Sequence, residues 1–567
     1  MAFRLLSHKG TTAAIAAGAT ITAVGAGTVV GAGTVGAQAA PRASAPPAGF
    51  RVVADRFAGH GTVTGDVLRN DPGATAVVRS TAPSHGTVTV NPDGTFAYTP
   101  KPGFTGTDTF TYTATNAVRL YSDAAKDGAP LPPIAKVPGP DGTVTDISGQ
   151  GYGSSLAPVP GKPGFFYGLT DRGPNADAPD GNKSVVLDDF PPQIGEFRLT
   201  GSKAELIRTI PLKGPKSLGG VAYTGRPPHD TKETVDDLGA TNATLKDGAV
   251  TPRPAARDPY GYDSEGLVAM PDGTFWVSDE YGPYITHFDA SGYELGRLTP
   301  YRDSSDNSSH QILGYLPAEL ADRTTNKGME GLAVTPDDRT LVGVMQSALQ
   351  TPDLGSTKAS KVAVTRIVTV DLATYRTRQY LYPLDDPAAT GDANSEITAL
   401  SDTKFLVDER DGDFEPGAHK ILYEADIAGA TDVSGRTIEG QSPEAFVGTA
   451  DTADALAALA EAGVTAARKT PCLPVGTLLT RLDPDGGLFG HDKVEGVATT
   501  DGGRTVYLSD DDDFGIDTIA VDPDGRWTVH TKTLPATGKP DNGEILQVDT
   551  ARLPAATKTV TVTIRVR

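Results

Sequence analysis

The sequence predicts an all-β chain, a β-propeller of about six blades preceded by a small β-sandwich. Three observations carry this. Gly and Pro are abundant, 65 and 44 of 567 residues, while helix-period segments are few. Turn signals recur between apolar runs: "PDGT" at 271–274, "PDDRT" at 336–340, "DGGRT" at 501–505 and "DPDGR" at 522–526. One strand–turn–strand unit is also repeated, as in "EGLVAMPDGTFWVSDEYG", "MEGLAVTPDDRTLVGVMQS", "SEITALSDTKFLVDERDG" and "VEGVATTDGGRTVYLSDDDDFG". Multistrand repeats of this length are how a propeller is written in sequence.

The first element is an export signal. "MAFRLLSHKG" supplies Arg4 and Lys9, and an uncharged Ala/Gly/Thr/Val stretch follows to Ala39. "AQA" at 37–39 is a small-x-small cleavage site, so residues 1–39 read as a signal peptide and the protein as secreted. A retained anchor is the alternative, disfavoured because the stretch is weakly apolar, and no stable membrane insertion is expected. Residues 40–49, "APRASAPPAG", are a Pro/Ala-rich linker.

Residues 50–118 form the small β unit. "HGTVTV" and "GTFAYTP" flank "NPDG" at 91–94, a hairpin whose Asp-Gly supplies a positive-φ turn. "GFTGTDTFTYTATN" alternates Phe110 and Tyr112 with Thr, as a sandwich strand does. These stretches, with "GDVLRNDPG", resemble the bacterial Ig-like or cadherin-like repeats of secreted proteins. The resemblance implies a spacer or a module contacting cell surfaces or polysaccharide. "NDPGATAVV" lacks the acidic run that would take calcium there.

Residues 119–567 form the large unit. Copies of the repeat begin near 155, 220, 265, 330, 396 and 495, which suggests six blades. The long gap before 495 holds "DTADALAALAEAGVTAARK" (451–469), the clearest helical segment and an inserted hairpin or lid. The ending "KTVTVTIRVR" sets Val560, Val562, Ile564 and Val566 on one face, a half-buried strand expected to complete a blade begun near 120–150. "LPATG" at 534–538 matches a cell-wall sorting pentapeptide but lacks the apolar span that such a signal needs, so it reads as chance.

Composition excludes several functions. A formal charge of −21 argues against a nucleic-acid binder and suits a protein that holds cations. Cys472, the one cysteine, rules out an intrachain disulfide framework. There is no "G-x-S-x-G", no "H-E-x-x-H" and no "G-x-x-x-x-G-K-[ST]", and the nine histidines show no metal-ligand spacing.

The repeated acids are the candidate site. The first strand of a propeller blade lines the channel, so Glu265, Glu330, Glu396 and Glu495 are expected to form a ring. Carboxylates packed together repel unless a cation intervenes, and oxygen ligands favour Ca²⁺ or Mg²⁺. The alternative is that each Glu bonds a neighbouring blade and only closes the ring. A second ring is expected 12 to 16 residues later, at Asp171 and Arg172, Asp279 and Glu280, Gln346 and Ser347, Asp408 to Asp411, and Asp510 to Asp513. Asp510 joins the four glutamates as an expected metal ligand.

"LTDRGPN", "DSEGLVAMPDGTFWVSDEYGPYI", "NKGMEGLAVTPDDRTL", "FLVDERD" and "KVEGVATTDGGRTVYLSDDDDFG" occur in order over 145–545. In them the chain resembles the phytase-like family of secreted bacterial proteins, "esterase-like activity of phytase". The resemblance implies a Ca²⁺-assisted hydrolase of phosphate or other esters. The family's catalytic residues are not carried over; from the face of the second ring itself, Arg172, Lys327 and Arg410 are expected to bind a small anionic substrate, and Asp279 or Glu409 to accept a proton from water. The alkaline phytase motif "D-A-x-D-D-P-A-[IVL]-W" is missing, since "LDDPAAT" at 384–390 shares only "DDPA". Two alternatives stand: a lactonase-type six-bladed propeller, and a non-catalytic binding or adhesion protein.

Overall fold

The computed structural model describes residues 49–567 apart from 140–141, 178–182, 234, 238–252 and 522–526. The export signal and all but the last linker residue lie outside the described residues.

Two sheets build the N-terminal sandwich. One runs Asp55–Gly59, Thr557–Val566, Gly106–Thr115, Ala76–Ser80, and the other Val63–Asp66, Thr95–Pro100, Gly86–Val90. Their inner faces bury Phe96 and Tyr98 against Phe110, Tyr112, Val562 and Ile564. The Tyr112 hydroxyl donates to Asp71 at 2.6 Å, which uses that carboxylate to tie the loop down. Gly94 takes φ 90°, and its N–H closes the hairpin turn on Asn91 O at 2.9 Å.

The C-terminal strand is therefore not part of a blade. It lies between Asp55–Gly59, to which it is parallel, and Gly106–Thr115, to which it is antiparallel. Its apolar face matches the sandwich, and the ring closes elsewhere. Val118–Ala125, which follows the sandwich directly, pairs antiparallel with Glu544–Asp549 and becomes the outer strand of the last blade.

Five blades are present among the described residues, where the repeat count suggests six. In chain order their inner strands are Ser155–Pro158, Ser264–Ala269, Met329–Val334, Ala393–Ala399 and Val494–Thr499, and we number the blades 1 to 5 accordingly. Each inner strand packs on the next and the fifth packs on the first, so the ring is closed. The expected copy near 220 makes no strand. Gly219 and Gly220 turn the chain at φ 99° and 61°, Val221 is 49% exposed, and beyond it only isolated bridges form, while Tyr223 fills the core beside blade 2.

The helical segment lies within blade 4, between Lys420–Asp426 and Arg468–Pro474. Thr452–Glu461 is helical, N-capped by Asp451, which accepts from Asp454 N at 2.9 Å. Its tail joins the outer strand instead. Two antiparallel strand pairs, Ala135–Pro138 with Val144–Ile147 and Ile516–Val521 with Trp527–Thr531, flank a satellite core around Phe190, Phe514 and Ile516. No helix among the described residues is long and apolar enough to cross a membrane.

Candidate functional site at the channel mouth

The glycine after the glutamate explains half of the Glu-Gly repeat. A Cβ at Gly331 would lie 2.5 Å from Ile397 N, one at Gly496 2.8 Å from Leu156 N, and one at Gly266 2.7 Å from the Gly331 carbonyl carbon. Adjacent inner strands meet backbone to backbone at these points, and only glycine permits that approach. A bulge in each of these three inner strands at this level breaks the simple in–out alternation.

The preceding glutamates converge. Glu265, Glu330 and Glu495, from blades 2, 3 and 5, are each at most 6% exposed. Burial, then Asp263, Glu330, Glu280 and Glu495 in that order, hold the Glu265 carboxyl well above its usual range. Burial, Glu280 and Glu495 do the same to Glu330, with Arg410 opposing. Glu495 is pushed up to about 7 by burial, against Arg410. Carboxyl faces carboxyl twice, Glu265 with Asp263 and Glu330 with Glu280. Asp263, Glu265 and Glu280 each place a ligand atom within 4.8 Å of the other two, and Glu330 Oε2 is buried without a partner. These acidic groups could hold a metal ion.

Two guanidiniums adjoin them. Arg172 Nη2 lies 2.6 Å from Asp263 Oδ2 and 3.5 Å from Glu280 Oε2, with the guanidinium 5.3 Å from the Tyr281 ring centre. Its Nε and Nη1 are buried without partners. Arg410 Nη2 is ion-paired with Glu495, and its Nε is likewise buried and unpaired. Lys327 stands one contact further out. It donates to Gln346 at 2.9 Å, and Gln346 donates to Glu330 at 2.5 Å.

The remaining expected residues lie elsewhere. Glu396 pairs in register with Asp408, the position that Gly331 and Gly496 hold in their own blades, so it is one step off the glutamate ring. It reaches into the hub, accepting from Leu332 N at 3.1 Å, Ile397 N at 2.9 Å and the Ser155 hydroxyl. Ser155 Oγ in turn accepts from Leu267 N at 3.1 Å, which ties blades 1 to 4 through one carboxylate. Glu396 thus takes the ring-closing alternative.

Asp279 accepts a backbone N–H on each oxygen, from Asp263 at 2.7 Å and Gly282 at 2.6 Å, which holds it in the local turn. Glu409 faces blade 3, where Tyr382 OH at 2.5 Å and Asp385 N at 3.0 Å hold it, and the Lys469 ammonium of its own blade pairs with it. Asp510 belongs to a separate buried network. His491 Nδ1 sits 3.1 Å from Asp510 Oδ2 and 2.6 Å from Asp541 Oδ1. Sequence reasoning did not assign Asp263 or Glu280 as partners of the glutamates. The signal was in "DSEG" and "SDEYG", where an acid stands two residues before Glu265 and another directly after Asp279.

The bacterial Ig domain family matches residues 39–125. A curated protein of Arthroderma benhamiae, named "uncharacterized secreted protein", is 33% identical over 178 residues. The match takes in 26% of this chain and 34% of that protein, so the chain spans about a third of that relative's length. Among solved structures, a Lactobacillus plantarum protein aligns over 72% of this chain and 92% of its own, with 12% identity and a TM-score of 0.29. Virginiamycin B lyase from Staphylococcus aureus aligns over 86% and 98%, with 9% identity and a TM-score of 0.24. Regucalcin, a calcium-binding protein from Agrobacterium tumefaciens, aligns over 66% and 77%, with 11% identity and a TM-score of 0.20. Likenesses this distant carry nothing about the site. The phytase-like model, "esterase-like activity of phytase", matches 149–514, from just before blade 1 through the second strand of blade 5. That is more than half of the sequence, and the chain belongs to the phytase-like family.

Proposed function

We propose that the protein is a secreted hydrolase of small anionic phosphate or other esters, with its reaction at the channel mouth. The observation that carries this is the facing of carboxyl on carboxyl at Asp263–Glu265 and Glu280–Glu330, beside two guanidiniums with unpaired N–H groups. Acids in such contact share either a proton or a cation. An all-oxygen donor set favours a hard divalent ion, Ca²⁺ before softer metals.

Asp263, Glu265, Glu280 and Glu330 would hold that ion. When bound, Ca²⁺ supplies Lewis-acid polarisation of an ester oxygen and a more acidic water. The chain's own groups do the rest. Arg172 would direct Nε and Nη1 at substrate oxygens, and Arg410 its Nε, while Lys327 sits at the rim. Glu495, fixed through Oε1 by Arg410, keeps its second oxygen to accept a proton. The family description and the secreted relative support this reading.

The test uses the purified full chain. Calcium is measured by elemental analysis, and turnover of p-nitrophenyl phosphate, p-nitrophenyl acetate and a lactone is followed with and without EGTA. We expect calcium-dependent ester turnover, lost by roughly 100-fold or more in Glu265→Gln without a change in fold. Absence of both calcium and turnover sinks the proposal. Turnover of the lactone alone would favour the lactonase-type alternative.

A further inference from the structure

A polar cleft lies away from the channel mouth. It has a volume of about 910 Å³ and is walled by blades 3 and 4. Thr340, in its wall, begins the strand whose other end leads to Gln346 at the mouth, so the two sites occupy opposite ends of the same blade. Its size falls in the range of small-molecule sites, but its chemistry is not that of a drug-like pocket. Five threonines, two tyrosines, three aspartates and two arginines line it, and Ile427 is its one aliphatic side chain.

We propose that this cleft binds an uncharged oligosaccharide. The lining carries carboxylates and guanidiniums in near balance, which disfavours strongly charged ligands. With a single aliphatic side chain and charged groups spread around the wall, the cleft offers lipids and hydrophobic peptides no continuous apolar surface. What remains is a dense array of hydroxyl, carboxylate and guanidinium groups, which match the alternating donors and acceptors of a sugar chain. Tyr375 supplies a half-buried ring for the apolar face of a pyranose.

The wall is preorganised. Asp371 Oδ1 accepts from Thr374 N at 2.8 Å and from Thr374 Oγ1 at 2.7 Å, and Tyr375 N closes on Asp371 O at 2.7 Å. Tyr375 is thereby held at φ 53°, a left-handed conformation that a bulky residue adopts only when its surroundings impose it. Its Cβ also packs close over Gly314, where an added Cβ would lie 3.0 Å away. On the facing wall Asp432 Oδ1 accepts from Gln379 N at 3.2 Å and Ser434 N at 3.0 Å. A cleft fixed this way spends little ordering entropy on a ligand.

Isothermal titration of the full chain with cellohexaose, xylohexaose, laminarihexaose, mannohexaose and chitohexaose tests the assignment. At least one should bind with Kd below about 1 mM. The exposed double variant Arg378→Ala/Asp402→Ala should weaken binding about tenfold or more at an unchanged melting temperature, and Tyr375→Gly, which suits the left-handed backbone but removes a half-buried ring, should weaken binding by a similar factor in protein that remains folded by circular dichroism. Binding of none of the five overturns the proposal, and so does undiminished binding by both variants. Ester turnover at the mouth plays no part in either outcome.

Discussion

Removing residues 557–567 should unfold the sandwich and leave the propeller standing. The strand Thr557–Val566 buries Val562 and Ile564 completely and leaves Val566 only 5% exposed. Full burial of such side chains contributes about 1.5–3 kcal/mol each, so their loss costs about 5–9 kcal/mol before the broken ladders are counted. Those ladders run along both edges of the strand, to Asp55–Gly59 and Gly106–Thr115. A module made from residues 50–115 and this strand has a total stability of roughly 4–11 kcal/mol at the usual density per residue. The deletion is therefore as large as everything holding the module together. Limited proteolysis with mass mapping reads it directly: cleavage should appear throughout 50–116 while 118–549 stays resistant. Ile564→Ala provides a graded control, with a loss of about 2–5 kcal/mol in the sandwich transition by calorimetry. A truncated chain in which 50–116 resists protease and melts as in the intact protein would refute the reasoning. It would show that the sandwich core does not depend on the last strand.

Two further expectations concern the ring. With chelator present, stability should fall as pH rises from about 4.5 to about 8, the ordinary carboxyl values forming the lower bound. Glu495 and Asp263 are pushed up to about 7 and about 8, both by burial first, so the folded state binds more protons than the unfolded one and loses stability on deprotonation. Thermal melts with and without Ca²⁺ check this, and Ca²⁺ should raise the melting temperature more at pH 8 than at pH 5. Equal Ca²⁺ shifts at both pH values would contradict it. Gly331→Ala should cost about 1–3 kcal/mol or more through its clash with Ile397 N and Glu396, by urea unfolding. Gly412→Ala, where the added methyl meets nothing within 4 Å, should be near neutral.

The repeat grammar was legible because it is local. Alternating apolar residues and Asp-Gly turns specify strand–turn–strand units wherever they occur, and the same pattern carried Phe110 and Tyr112 into the sandwich core. Glu265, Glu330 and Glu495 could be aligned because the glycine behind each is a steric requirement of the hub. Glu396 is followed by Ile397 instead of a glycine, which marks it as different in the sequence without saying where it goes. The one-residue offset arises in strand register, and register depends on the partner strand, not on the motif.

The sequence by itself determined the β-rich architecture, the sandwich-then-propeller order and three of the acids at the mouth. Each follows from periodicity or turn chemistry within some twenty residues. Tertiary structure alone decided the five-fold ring, the terminal strand's place in the sandwich and the company each acid keeps. An apolar strand face records that it must be buried but not against which sheet. A carboxylate records its charge but not whether a backbone N–H, a guanidinium or another carboxylate will meet it. At Asp279 backbone N–H groups do, at Glu495 a guanidinium does, and at Glu265 another carboxylate does, because the fold decides which blade or loop lies beside each.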